Sequence, residues 1–217
     1  MLTRFALVLV LSSTAAASAQ TFSDETFDPG DWTLQVEGSG TVDAMQQLAG
    51  GNPDAFREVA NRPTPAMGEN VAGWHLHTGF VYDPSAEGAL ESIGWSIDFQ
   101  NLTSGQAAAL AIEQGGTLMQ AGFFITTPDR PGWFTHEAVG LLAGDFSAGG
   151  PDFSASGAPI TFGFFASNTF DPAAGDISND VAYDNLEITL VPVPEPAAAL
   201  LLLTGVLVLA AAQRARA

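Results

Sequence analysis

The chain has 217 residues, with no cysteine, no lysine and six arginines set against 24 acidic residues. A formal charge of -18 excludes a basic face for nucleic acid or anionic lipid, and the absence of cysteine excludes a disulfide scaffold, a thiolate metal site and a cysteine nucleophile. At 47% hydrophobic the chain is no disordered polyelectrolyte, and its length suits one domain with short appendages.

Residues 1–19 read as a secretory signal peptide. Arg4 precedes an apolar run from Phe5 to Leu11, and small residues close the segment at Ala17-Ser18-Ala19. Export would leave Gln20 as the first mature residue. The body, 20–191, carries every acidic residue but Glu195, and its arginines are Arg57, Arg62 and Arg130. Most of that charge reads as a solvated surface.

Periodicity in the body is two. The spacing predicts strands at Trp32–Glu37, Trp74–Phe80, Ile93–Phe99, Ala109–Gln114, Leu118–Thr127, Gly132–Val139, Ile160–Phe164 and Leu186–Leu190. Gly115-Gly116 predicts a tight hairpin turn, and Asp54–Ala60, after Pro53, predicts two helical turns. The whole predicts an all-β antiparallel sandwich whose first and last strands are neighbours. Alternation puts Trp74, Leu76 and Phe80 on the core side of their strand. His75 and His77 then face solvent, a reading preferred to a metal pair completed by His136. Trp32, Trp74 and Trp95 read as core. Trp133, beside Pro131-Gly132 and close to Arg130 and His136, is the candidate exposed ligand-binding aromatic. The sequence holds no G-x-S-x-G, no E-x-D-x-x-E and no glycine-rich phosphate loop, so no catalysis is expected.

Residues 192–217 read Pro194-Glu195-Pro196, then sixteen uncharged residues from Ala197 to Ala212, then Arg214 and Arg216. As a helix the apolar run spans about 24 Å, just short of the ~30 Å hydrocarbon core, with the arginines on the cytoplasmic side. This order resembles the PEP-CTERM sorting signal of Gram-negative bacteria. The resemblance implies a transmembrane sorting helix and an exosortase-type processing enzyme as partner. It also implies surface or matrix localisation alongside exopolysaccharide. By it Pro194, Glu195, Pro196, Arg214 and Arg216 are sorting residues.

Phe27-Asp28-Pro29-Gly30-Asp31-Trp32 resembles the F-E-x-G-x-x-W opening of jelly-roll carbohydrate-binding modules, and Tyr183-Asp184-Asn185-Leu186-Glu187-Ile188 resembles their closing strand. Gly50-Gly51-Asn52-Pro53 is similar to an early loop of concanavalin-like and carbohydrate-module sandwiches. The resemblance implies a sandwich of jelly-roll type and a structural calcium shared by Asp28 and Asp184. Asp28 stands where such modules usually carry Glu, one methylene longer. The resulting expectation is an exported, non-catalytic, matrix-associated protein that binds carbohydrate. A structural or adhesive surface protein and an unrecognised sandwich-type hydrolase are the alternatives.

Overall fold

The computed structural model describes residues 19–126, 131–173 and 179–194, with Gly205. Ala19–Pro192 form one compact unit of two antiparallel sheets. The strands, in chain order, are β1 (Gln20–Asp24), β2 (Trp32–Gly38), β3 (Gly40–Gly51), β4 (Asp54–Pro63), β5 (Asn70–Tyr82) and β6 (Leu90–Asn101). They continue with β7 (Ala107–Gln114), β8 (Thr117–Ile125), β9 (Phe134–Leu141), β10 (Ile160–Thr169) and β11 (Asn179–Pro192). The first sheet runs β3-β4-β11-β6-β9, with β1 also paired to β11. The second runs β2-β5-β10-β7-β8. The first and last strands are neighbours, as expected: Gln20 lies opposite Leu190 and Asp24 opposite Leu186.

Alternating residues fill the space between the sheets. Ile93, Trp95 and Ile97 of β6 and Leu186, Ile188 and Leu190 of β11 meet Phe162 and Phe164 of β10 and Leu110 and Ile112 of β7. Each such side chain, taken from water, contributes about 1.5–3 kcal/mol. Gly115 and Gly116, at φ 59° and 80°, turn β7 into β8, the two-residue loop expected of that pair. Asp54–Ala60 is strand, not helix. It is paired to β3 on one side and β11 on the other, and those ladders override its local helical composition.

The larger correction concerns β5. His75 is fully buried between the sheets, with its ring stacked on Phe164 at 4.5 Å, and His77 stacks on Phe80 at 3.8 Å. Trp74 and Leu76 point the other way and join Ala72, Ala109, Ala111 and Phe165 in a second buried cluster on the opposite face of the sheet. Around His75 lies a buried polar group. Arg57 Nε donates to His75 Nδ1 at 3.4 Å, and its Cζ lies 5.2 Å from the centre of the Trp32 ring. Asp24 accepts from the Trp32 indole N–H at 2.9 Å and from the backbone N–H of Thr26 at 2.7 Å and Phe27 at 2.9 Å.

Among the described residues no helix is long and apolar enough to cross a membrane. The signal-peptide residues 1–18, and Glu195, Pro196, Arg214 and Arg216 of the sorting signal, lie outside the described residues. Pro194 follows β11 without regular structure.

Candidate functional site

The outward face of the first sheet is built by the residues that alternate with the core series. On β6 these are Gly94, Ser96 and Asp98. Strand register sets partners beside each, so that Asp184, Asp98 and Thr135 form one row and Glu187, Ser96 and Glu137 the next. Thr189 lies beside Gly94. The first row sits at a break in the sheet. Pairing of β4 to β11 stops at Arg57 opposite Tyr183, and β1 takes over only at Asp24 opposite Leu186. The β11 chain bulges there, with Asn185 at φ 47°, and Gly51-Asn52-Pro53 at the β3–β4 turn fills the gap.

Two carboxylates therefore lie side by side with little exposure, Asp184 at 0% and Asp98 at 7%. Like charges directly opposite destabilise a strand pair, so their oxygens need donors. Asp184 accepts from the backbone N–H of Asn52 at 2.5 Å and of Asn185 at 2.8 Å. Asp98 accepts from the side-chain amides of Asn52 at 3.0 Å and Asn185 at 2.8 Å, and from the Thr135 hydroxyl at 2.5 Å. The Asn185 amide also reaches the Asn52 carbonyl. Burial pushes the Asp184 carboxyl above its ordinary value. The two N–H donors pull it back, and the charges of Asp98 and Glu25 raise it again.

The turn tolerates no side chain at Gly51. A Cβ there would stand 2.5 Å from the Ala55 carbonyl oxygen and 2.7 Å from Asp184 Oδ2. Gly51→Ala is expected to cost about 1–3 kcal/mol, the range for forced overpacking. The control is Gly144→Ala, where a Cβ meets nothing within 4 Å. Urea unfolding of both variants checks this, and equal midpoints would remove the turn's role.

Trp133 precedes β9 on the same side of the molecule. Its ring meets Phe56 edge to face at 5.8 Å and 72°, and it keeps part of its surface in water. Beyond the second row lies a groove of about 190 Å³. Gly94 and Ser96 form its floor, Glu137 and Val139 one wall, and Glu187, Thr189 and Val191 the other. A second groove, of about 320 Å³, crosses the other sheet between Phe123 and Ile125 on one side and Ser167, Asn168 and Thr169 on the other.

Of the residues singled out from sequence, Asp184 and Trp133 fall on this one face. Asp28 accepts from the Gly30 N–H at 2.9 Å and opens its own 3-10 turn, Pro29–Asp31. The acids whose charges reach Asp184 are Asp98 and Glu25. Among the described residues no three histidine, aspartate or glutamate side chains converge as a metal cage would. Asp98, Glu25 and Glu137 carried no local signal. The register of β6, β9 and β11, and for Glu25 the pairing of β1 with β11, brings them beside residues far away in the chain.

No protein-family model matches the sequence, and no curated protein does. Among solved structures, the chain is similar to the family 11 carbohydrate-binding module of Clostridium thermocellum in complex with a beta-1,3-1,4-mixed-linked tetrasaccharide. The identity is 14% and the TM-score 0.49, over 84% of this chain and 99% of that one. It is also similar to a family 22 xylan-binding domain of Paenibacillus barcinonensis, at 13% identity and TM-score 0.41, over 78% of this chain and 99% of that one.

Proposed function

We propose that this chain is an exported, surface-sorted protein of the extracellular matrix, with a non-catalytic sandwich of jelly-roll type that binds carbohydrate. The observation that carries the binding is the placement of Trp133. A flat aromatic with exposed surface shares one sheet face with rows of hydroxyl, amide and carboxylate groups that end in an open groove. Sugars are held by that combination, an apolar ring face under the pyranose and fixed polar groups around its hydroxyls. Export and sorting rest on residues 1–19 and on Pro194, Glu195, Pro196, Arg214 and Arg216 alone.

The same geometry argues against hydrolysis at the register pair Asp98 and Asp184. Retaining glycosidases hold two carboxyls about 5–5.5 Å apart with access to the glycosidic bond. Asp98 and Asp184 are buried, and their oxygens are occupied by amide and hydroxyl donors. Calcium belongs to this reading as a stiffener of that array. Asp184 would be one ligand, and Asp28, which caps its own turn, would have to reach it to complete the pair that the resemblance implies. A rise in melting temperature with calcium over chelator supports the ion, and identical melting removes it.

Calorimetric titration of the full-length chain with the producing cell's exopolysaccharide tests the main proposal. Saturable heat is expected, and Trp133→Ala should weaken binding at least about tenfold, as loss of an anchoring tryptophan does. Circular dichroism should stay unchanged in the variant. Absence of heat from the unaltered chain would overturn the reading.

A further inference from the structure

We propose that the groove beyond Trp133 selects glycans that carry free amino groups, that is, hexosamine units without their N-acetyl. The inference rests on the carbohydrate reading above and names the class of sugar that the same face takes.

Glu137 and Glu187 flank Ser96 from opposite sides in one row across three strands. Neighbouring strands lie about 4.8 Å apart, so the two backbones stand roughly 9–10 Å from each other with the recess between them. The recess exists because position 94 is glycine. A Cβ there would touch Thr189, Val139 and the Ala138 carbonyl, all at 3.8 Å, and would raise the floor into the groove. The walls are of two kinds. Val139 and Val191 offer apolar surface to a ring, and Ser96 and Thr189 offer hydroxyls. Glu137 and Glu187 add two carboxylates at one end.

Nothing described in the chain neutralises that pair. Among the described residues the ion pairs belong to Arg62 and His77, with Asp43, Asp180 and Asp24 as their partners. The chain has no lysine, and its formal charge of -18 repels anionic polymers and draws cationic ones. A neutral sugar can offer the exposed carboxylates only hydroxyl donors, with no opposite charge, and a uronate would add like charge. An ammonium group on a pyranose answers all three features together: the apolar walls, the hydroxyls and the acids.

The test uses the full-length chain in mild detergent and three oligosaccharides of one length: glucosamine, N-acetylglucosamine and glucose. Binding is read at about pH 6, where an amine of the α-amino type is protonated. The glucosamine oligomer is expected to bind about tenfold tighter than the other two, the order that two exposed ion pairs supply. Added salt and Glu137→Gln/Glu187→Gln should erase that margin and leave a weaker, charge-independent binding that still needs Trp133. Equal binding of all three sugars, unmoved by the glutamine variant, would overturn the amino-sugar assignment and keep the carbohydrate reading. Equal capture of spermine would reduce the groove to charge attraction and overturn it too. No binding of any of the three would overturn the amino-sugar assignment and leave the carbohydrate reading to the exopolysaccharide titration, and shortening of the oligomer would make the groove a catalytic cleft instead of a binding one.

Discussion

Asp24→Asn is expected to lower the unfolding free energy by about 3 kcal/mol, although it changes neither size nor shape. Asp24 ends β1 at 7% exposure, and Arg57, on β4, is 4% exposed. Burial pushes the Asp24 carboxyl up, but the N–H bonds of Phe27 and Thr26 and the Trp32 indole outweigh it and hold it below its ordinary value. Burial lowers the Arg57 guanidinium to about 10, and the Asp24 charge is what pulls it upward. Asparagine would remove the counter-charge of a buried cation. It would also turn an acceptor-only group into one that must place two donor hydrogens among donors already there. Arg57→Met removes that cation and leaves the Asp24 carboxylate its four hydrogen-bond donors, so the cost of an uncompensated Arg57 charge is absent when both are changed. The double variant should therefore cost less than the two single costs together, by about 1 kcal/mol or more. Urea unfolding at neutral pH measures all three. Additive costs, or an Asp24→Asn cost under about 1 kcal/mol, would show that the two charges do not hold each other.

This buried group also shows what alternation can and cannot reveal. Ile93 to Phe99 and Leu186 to Leu190 were legible because one side of each strand is apolar and the other polar. In β5 both sides are buried, His75 against Phe164 on one face and Trp74 against Phe165 on the other. Hydrophobic pattern then has no means of choosing which side is the interior. The more apolar series, Trp74 and Leu76, belongs to the second cluster, while His75 lies in the main core and the half-buried His77 stacks at its edge on Phe80. For β3 the difficulty is the reverse. It is an edge strand whose inward side carries only Val42 and Ala44 as apolar residues, while Met45 and Leu48 are exposed, so alternation does not mark it. The candidate site could be named in advance where a residue type stands out, as with Trp133, or where a local motif does, as with Gly50–Pro53 and Asp184, and these residues fall on one face of the first sheet. The pairing of Asp98 with Asp184 and of Glu137 with Glu187 follows from register, and no short stretch of chain encodes that.

The second large effect is acid lability centred on His75. Burial first, and the nearby Arg57 charge second, hold its pKa well below the ordinary 6.5. In the unfolded chain the ring takes its proton near that ordinary value, while in the folded chain it stays neutral. Between the two values the unfolded state binds more protons, so stability falls as the pH drops below about 6.5 and is flat above it. The limit is about 1.4 kcal/mol per pH unit for each such group. His77 acts in the same direction: burial lowers it, and the charges of Asp24 and Asp31 pull it partly back. Asp184, raised by burial, works oppositely, because the folded state keeps its proton at higher pH than the unfolded one. Its window opens at the ordinary 3.8 and so lies under the acid end of the histidine range. The chain should lose roughly 1–2 kcal/mol between about pH 7 and pH 5. In His75→Phe the ring can still stack on Phe164, but Arg57 Nε loses its acceptor, so absolute stability drops at every pH. The readout is therefore the slope, which should become clearly shallower over the same interval. An unchanged slope would mean that His75 takes up its proton in the folded state as readily as in the unfolded chain, which its full burial beside a guanidinium contradicts.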